Sequence, residues 1–318
     1  MRATLPRLVG ILTLASVANQ MPFAHAQEKA FSVDKVEYQG WKNNLRISNG
    51  DAELIVTLDV GPRVISYKLS GGKNVFKNYA DQLGKTGEKE WQIRGGHRLW
   101  IGPEDLTRTY ALDNGPVEVK TTKSLPPQVI FTPPPDKEYG VQKSMRIVLA
   151  NEGSKVEVTH FITNIGDKET ELAPWALSVM APGGIEIIPL PEKKPHPGAV
   201  KNARSPADFA PNQLLSIWPF TDLGDGRCKL GSKYITLRQD PKKGPTKIGL
   251  AHRMGWIGYL NDGTLFVKRF AYQEGKTYPD QGVNFERSPT RTCWRSRAWD
   301  RSSPSIQERR WKRSRSGN

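Results

Sequence analysis

VQKSMRIVLANEGSKVEVTHFIT, residues 141–163, is the stretch that decides the fold class. Val141 to Leu149 and Lys155 to Thr163 are runs rich in β-branched residues, and Asn151-Glu152-Gly153-Ser154 between them is a tight-turn sequence. The pattern predicts a hairpin. On its second strand Val156, Val158, His160 and Ile162 share one face, because side chains alternate along a strand. The same grammar repeats outward. Leu45-Arg46-Ile47 turns at Ser48-Asn49-Gly50-Asp51 into Ala52 to Leu58, and Asp59-Val60-Gly61-Pro62 turns into Arg63 to Leu69. Downstream, Leu172 to Met180, Ile185 to Leu190, Leu214 to Phe220, Tyr234 to Leu237, Lys247 to Ala251, Trp256 to Leu260 and Thr264 to Phe270 continue the series, with Asn261-Asp262-Gly263 as a further hairpin turn. No stretch holds a helical stripe. Many short strands separated by turns predict an all-β protein, a sandwich of two large antiparallel sheets.

The 318 residues hold 29 Gly and 24 Pro, which suits a turn-rich fold, and no internal repeat divides them. Residues 1–26 read as a signal peptide. Arg2 and Arg7 precede the apolar Leu8 to Ala18, which is too short to span a bilayer, and Ala24-His25-Ala26 is a cleavage pattern. A periplasmic or secreted bacterial protein is expected, with one β-domain over 27–286 and no membrane span. Two cysteines, Cys228 and Cys293, cannot alone form a structural zinc site. No His pair has metal-ligand spacing, and no P-loop, dinucleotide fingerprint or Ser-His-Asp signature appears, so no metal or cofactor is expected. The net charge of +15 invites a nucleic-acid partner. However, residues 287–318 carry +8 of it and the leader +2, leaving only +5 on residues 27–286. The globular part is mildly basic, and nucleic acid is not expected as a partner.

Composition changes abruptly after Glu286. RSPTRTCWRSRAWDRSSPSIQERRWKRSRSGN has almost no aliphatic residues and no strand or helix period. A shifted reading frame accounts for it. If each true codon starts one nucleotide earlier, Arg287 to Ser305 decodes as Thr-Phe-Thr-Asn-Ala-Asp-Met-Leu-Glu-Val-Glu-Ser-Leu-Gly-Pro-Ile-Val-Thr-Leu. The residue at Asp300 is then forced to Gly, since Trp299 ends in G and Asp300 begins GA. The decoded string alternates like a strand and ends in a turn. The competing reading is a disordered basic arm held to a glycan or lipid surface by charge alone.

Three clusters can carry chemistry. In WQIRGGHRLWIGPED (91–105), Gly95 and Gly96 permit close approach of the backbone to a ligand, and His97 can exchange a proton near neutral pH. Arg94 and Arg98 can fork onto hydroxyls or carboxylates, Trp91 and Trp100 can stack on a sugar ring, and Glu104 and Asp105 accept hydrogen bonds. The bland alternative is a solvated loop with one buried Trp. The second cluster, Phe266 to Glu286, offers Lys268, Tyr278, Asp280, Asn284 and Glu286, groups a polyol site uses, although Tyr-Pro-Asp is also an ordinary turn. The third is Ala173 to Ser178, with Trp175 as a stacking platform or a core residue. His160, among valines, reads as core.

The segments ELIVTLDVGPRVISYKL, GGHRLWIGPED, HFITNIGDKETELAPWALSVMAPGG and GTLFVKRFAYQEGKTYPDQGVNFE together resemble an uncharacterised domain family of the galactose-mutarotase-like superfamily, over about residues 35–286. The resemblance implies a β-supersandwich that binds a carbohydrate. In aldose 1-epimerases of this superfamily a His protonates the ring oxygen and a Glu removes the anomeric proton. His97 looks like one of the superfamily's site histidines. Where the epimerases carry a second His, this chain has Trp175-Ala176, and the C-terminal strand that carries the base is replaced by the Arg/Ser tail. The expectations are therefore an exported sugar-binding protein with or without isomerase activity, a non-catalytic glycan-binding or structural module, or a lyase or hydrolase of acidic polysaccharide whose uronates Arg94, Arg98 and Lys268 would hold. Fold analogy does not choose among them. Sequencing the gene across the codon for Glu286 checks the shifted frame: a single-nucleotide slip is expected there, and related genes that end uninterrupted in this Arg/Ser tail would remove it.

Overall fold

The computed structural model describes residues 31–106, 109–200, 204–240, 242–289 and 294–299. The leader therefore lies outside the described residues. The first half of the chain forms β1 (Ser32–Tyr38), β2 (Trp41–Ser48), β3 (Ala52–Thr57), β4 (Arg63–Leu69), β5 (Gly96–Gly102), β6 (Glu118–Thr121), β7 (Val129–Thr132), β8 (Val141–Leu149) and β9 (Val156–Asn164). The second half forms β10 (Ala173–Met180), β11 (Ile185–Pro189), β12 (Leu215–Ile217), β13 (Cys228–Leu230), β14 (Tyr234–Arg238) and β15 (Ile248–Leu250). It closes with β16 (Trp256–Asn261), β17 (Thr264–Arg269), β18 (Phe285–Pro289) and β19 (Trp294–Trp299). Every described helix is a single turn, and none is long and apolar enough to cross a membrane.

All pairings between these strands are antiparallel. Ten strands in the order β1-β2-β3-β4-β5-β10-β19-β18-β15-β12 make a central sheet. The predicted hairpin forms in the expected register, from Val141↔Asn164 to Leu149↔Val156. It belongs to a four-stranded sheet, β6-β7-β8-β9, while β13-β14-β11-β16-β17 make a third. Both smaller sheets pack on one face of the central sheet. Leu54, Val56 and Val64 of the central sheet meet Phe131, Met145 and Ile147 of the four-stranded one, and Ile248, Leu250 and Phe285 meet Ile188, Ile235 and Ile257 of the five-stranded one. The expected all-β sandwich of antiparallel sheets forms, with the two smaller sheets together making its second layer. The second layer is split, and β9 and β17 end their sheets as edge strands. Loops cover the other face of the central sheet through two smaller clusters, one around Trp41, Ile55 and Ile65 and one around Trp100, Trp175 and Leu177.

GGHRLW is not a loop. It opens β5, a central strand with most side chains buried on both faces. Its glycines serve chain-to-chain contact rather than a ligand. A Cβ on Gly95 would stand 1.9 Å from the Lys77 carbonyl oxygen, and one on Gly96 would stand 2.4 Å from that of Val64. Regular structure also continues past Glu286, through Arg287–Pro289 in β18 and on to β19, although the tail has no strand period. The ladder accounts for this, since its hydrogen bonds are main-chain and the slot between β10 and β18 would otherwise expose two edges. Residues 300–318 lie outside the described residues.

Gly96 sits at φ 72°, the left-handed region. Gly96→Ala should cost about 1–3 kcal/mol from φ alone, with the clash in addition. An unchanged urea midpoint would show that β4 and β5 do not meet as described.

Candidate functional site

The β5–β10 ladder carries both candidate surfaces. Its partners are Ser178↔His97, Leu177↔Arg98, Ala176↔Leu99 and Trp175↔Trp100. Alternation sends His97 and Ser178 inward, toward the two smaller sheets, and Arg98, Trp100, Trp175 and Leu177 outward.

Inward, a cleft of about 720 Å³ opens between the β9 and β17 edges. His97 Nδ1 lies 2.9 Å from Ser178 Oγ, and His97 Nε2 lies 2.9 Å from His160 Nε2. The imidazole centroids are 5.1 Å apart, so the rings meet nearly head-on and share one proton between the two facing nitrogens. The Lys268 ammonium donates to the Ala176 carbonyl at 2.9 Å and to Ser178 Oγ at 3.2 Å. Burial, then the Lys268 charge and His160, hold the His97 imidazole far below its usual value. Burial and Lys268 push His160 down to about 3. Both rings are neutral at pH 7. Further along, Glu186 pairs with Arg287, and burial lifts its carboxyl to about 7 against that partner's pull.

The outward face is aromatic. Trp100 sits 5.4 Å from Trp91 and from Trp175, and Tyr110 packs edge-on to Trp91 at 5.1 Å. Tyr272 stacks on Tyr278 at 5.1 Å. Charges are threaded between the rings. The Lys247 ammonium lies 2.9 Å from a Glu286 oxygen, 4.0 Å from Glu104, and 3.8 Å over the Trp218 ring. Gly249 makes room for that ring, since a Cβ there would stand 3.1 Å from Trp218 Cη2. Arg98 lies over Trp91 and Trp100 and 3.4 Å from Asp113, which Arg63 also grips at 2.7 Å. Burial alone would raise the Asp113 carboxyl, but Arg98, Arg63 and Arg94 outweigh it and hold the group well below the carboxylate range. Glu104 is exposed and accepts from the Tyr110 hydroxyl at 2.5 Å. Trp91, Tyr110 and Tyr272 are half-buried, so ring surface is reachable from solvent.

The sequence-predicted residues therefore divide. His97 and Lys268 meet on the inner face. Arg98, Trp100, Glu104, Trp175, Tyr278 and Glu286 gather on the outer one. Trp100 and Trp175 are core rather than platforms, each no more than 1% exposed. Tyr278 is buried too, its hydroxyl accepting from the Gln273 N–H at 2.8 Å. Arg94 does not face a ligand. It is buried and forks onto Glu88, with the Lys85 carbonyl as a further acceptor. Asp280 is exposed in a left-handed turn and is not among the residues that line the His97 cleft. His160, expected as core, faces His97 instead, and Ser178 and Lys247 join the two surfaces without having been singled out by their residue types. The available signals were a polar residue on a valine face and strand alternation once β5 is a strand. Among the described residues no three His, Cys, Asp or Glu side chains gather as a metal site.

The depressed imidazoles make a stability prediction. Unfolded histidines take up protons near pH 6.5, the folded ones only far lower. Their contribution is therefore complete above pH 6.5 and is lost as pH falls toward the folded values, by about 1.4 kcal/mol per unit for each ring. Between pH 7 and 5 the native chain should lose about 2–4 kcal/mol more in urea unfolding than a His97→Gln, His160→Gln double variant. Equal losses would mean the pair is not buried neutral.

No protein-family model matches the chain, and no curated protein matches it. A solved structure described as a galactose mutarotase-like protein from Lactobacillus casei ATCC 334 is similar over 81% of this chain and 87% of that one, with 9% identity and a TM-score of 0.45.

Proposed function

We propose that the protein is exported and binds a neutral carbohydrate on the outer aromatic face, without ring-opening chemistry. The observation that carries this reading is the half-buried Trp91–Tyr110 pair beside the exposed Glu104 carboxylate. A sugar presents C–H groups on its faces and hydroxyls on its rim. Aromatic surface takes the first and a carboxylate the second. Arg98 is balanced by Asp113, and Lys247 by Glu286, so a neutral ligand costs no unpaired buried charge. The basic n-region and apolar run of residues 1–18 support export.

Geometry disfavours the epimerase reading. That reaction needs an acid and a base in one site on opposite sides of the sugar. Here His97 points to the inner face, while Glu104 and Glu286 belong to the outer one. A sugar on the outer face would meet Glu104 with the sheet between it and the imidazole, while the inner-face Glu186 is buried against Arg287.

On a glycan array the mature protein should retain neutral saccharides. Trp91→Ala should weaken the best of them by about tenfold, and His97→Ala should leave binding in place. Polarimetry with α-glucose and α-galactose should show no acceleration. Retention of no glycan, or binding that Trp91→Ala leaves intact, would defeat the reading, and accelerated mutarotation lost in His97→Ala would restore the epimerase.

A further inference from the structure

The inner cleft lies on the opposite side of the central sheet from the sugar-binding face proposed above, and its chemistry differs. Its walls are aliphatic and aromatic, including Leu54, Val64, Phe76, Val156, Val158 and Phe266. Its polar groups are concentrated at the base, where Lys268, Ser178 and His97 lie within 3.2 Å of one another in sequence along one hydrogen-bonded chain. His160 extends that chain, and its Nδ1 is buried with no hydrogen-bond partner. The charged side chains lining the cleft are four cations, Lys68, Lys155, Lys268 and Arg269, against one acid, Glu157. The two lips are edge strands, so neither β9 nor β17 has a further strand of its own sheet on the cleft side. The cleft's volume falls within the range of small-ligand sites.

An apolar trough with cationic and neutral N–H donors at its base discriminates among ligands. A sugar would strand its hydroxyls against valines and phenylalanines. A cation would meet Lys268. A hydrocarbon would leave the base polar groups without a ligand partner. We propose that this cleft binds an amphipathic monocarboxylate, its alkyl chain along the Leu54–Val158–Phe266 walls and its carboxylate on Lys268 and Ser178. Two requirements follow from the geometry. The carboxylate accepts from the Lys268 ammonium, a charge-assisted bond of the stronger kind. The chain gains its affinity from apolar area removed from water, so affinity rises with chain length until the trough is filled.

Calorimetry of the full mature chain with dodecanoate, kept below micelle-forming concentrations, tests this. Octanoate and dodecan-1-ol serve as comparisons. One dodecanoate should bind per chain, more tightly than octanoate and about tenfold or more above dodecan-1-ol. Lys268→Met should remove about tenfold of the dodecanoate affinity and leave dodecan-1-ol unchanged. Val158→Trp, which fills the trough, should abolish binding of both. Should that variant fail to fold, Ser178→Ala replaces it, with a loss of about threefold to tenfold expected for dodecanoate alone. No dodecanoate binding, equal affinity for the alcohol, several molecules per chain, or a Lys268→Met variant that binds dodecanoate as the native chain does would each overturn the proposal. Trp91→Ala should not affect this binding, so the outcome is independent of the sugar test.

Discussion

Between Gly96 and Gly102 the chain pairs residue for residue with Ala173–Val179, and adjacent side chains leave a strand on opposite sides. This one ladder therefore gives the molecule two unrelated surfaces. His97 and Ser178, partners across the ladder, face the split second layer. Trp100 and Trp175, also partners, face the covering loops. Glycine is required at the start of the ladder, because Gly96 lets β5 approach β4 where any Cβ would press on the Val64 carbonyl. Moving the register by one residue would exchange the faces, sending the indoles inward and the imidazole outward.

The two faces manage buried polarity differently. Outside, the buried cations Lys247 and Arg98 each have a counter-charge and an aromatic neighbour. Lys247 has Glu286 and the Trp218 ring, and Arg98 has Asp113 and two indoles. Such pairs lose less by desolvation than isolated ions, and the rings add attraction to the cation. Inside, the histidines avoid the cost by remaining neutral, since a second positive charge beside Lys268 in a buried cleft is unfavourable. A neutral imidazole pair can still donate and accept in line. The inner base is thus polar without adding charge of its own beyond Lys268.

Strands with strong β-branched runs and flanking turns were legible in the sequence. Val141–Leu149 and Arg63–Leu69 form with the expected ends. The strands not legible in the sequence are those whose residues carry a second signal. Gly96–Gly102 holds two Gly, a His and an Arg, which read as a ligand loop, yet the glycines serve close packing and the polar side chains are buried. Short strands such as Glu118–Thr121 and Val129–Thr132 are too brief for periodicity to register. The residue types of the site were legible, but their grouping was not. The sequence sets His97, Arg98 and Trp100 in one cluster, whereas the parity of positions along β5 decides which face each side chain joins, and parity has meaning only once the segment is known to be a strand.

β19 shows how far main chain and side chain can part company. Its six residues pair with β10 from Trp175↔Trp299 to Met180↔Trp294 and with β18 from Phe285↔Ala298 to Pro289↔Trp294. Those bonds use backbone groups alone, so the slot accepts a segment with no strand period. The same six positions decode in the shifted frame as Leu-Glu-Val-Glu-Ser-Leu, followed by Gly-Pro, a strand and its turn. In the neighbouring β18 one tail side chain carries a cost that the backbone does not. Arg287 is fully buried on the inner face against Glu186, and burial pulls the guanidinium down to about 10 while lifting its partner's carboxyl to about 7. An ion pair in that position barely offsets its own desolvation. The shifted frame would put Thr there, with one short polar side chain in place of a guanidinium. The neighbouring strands specify through backbone bonds that the slot is filled, and the cost of Arg287 falls on β18, one of its walls.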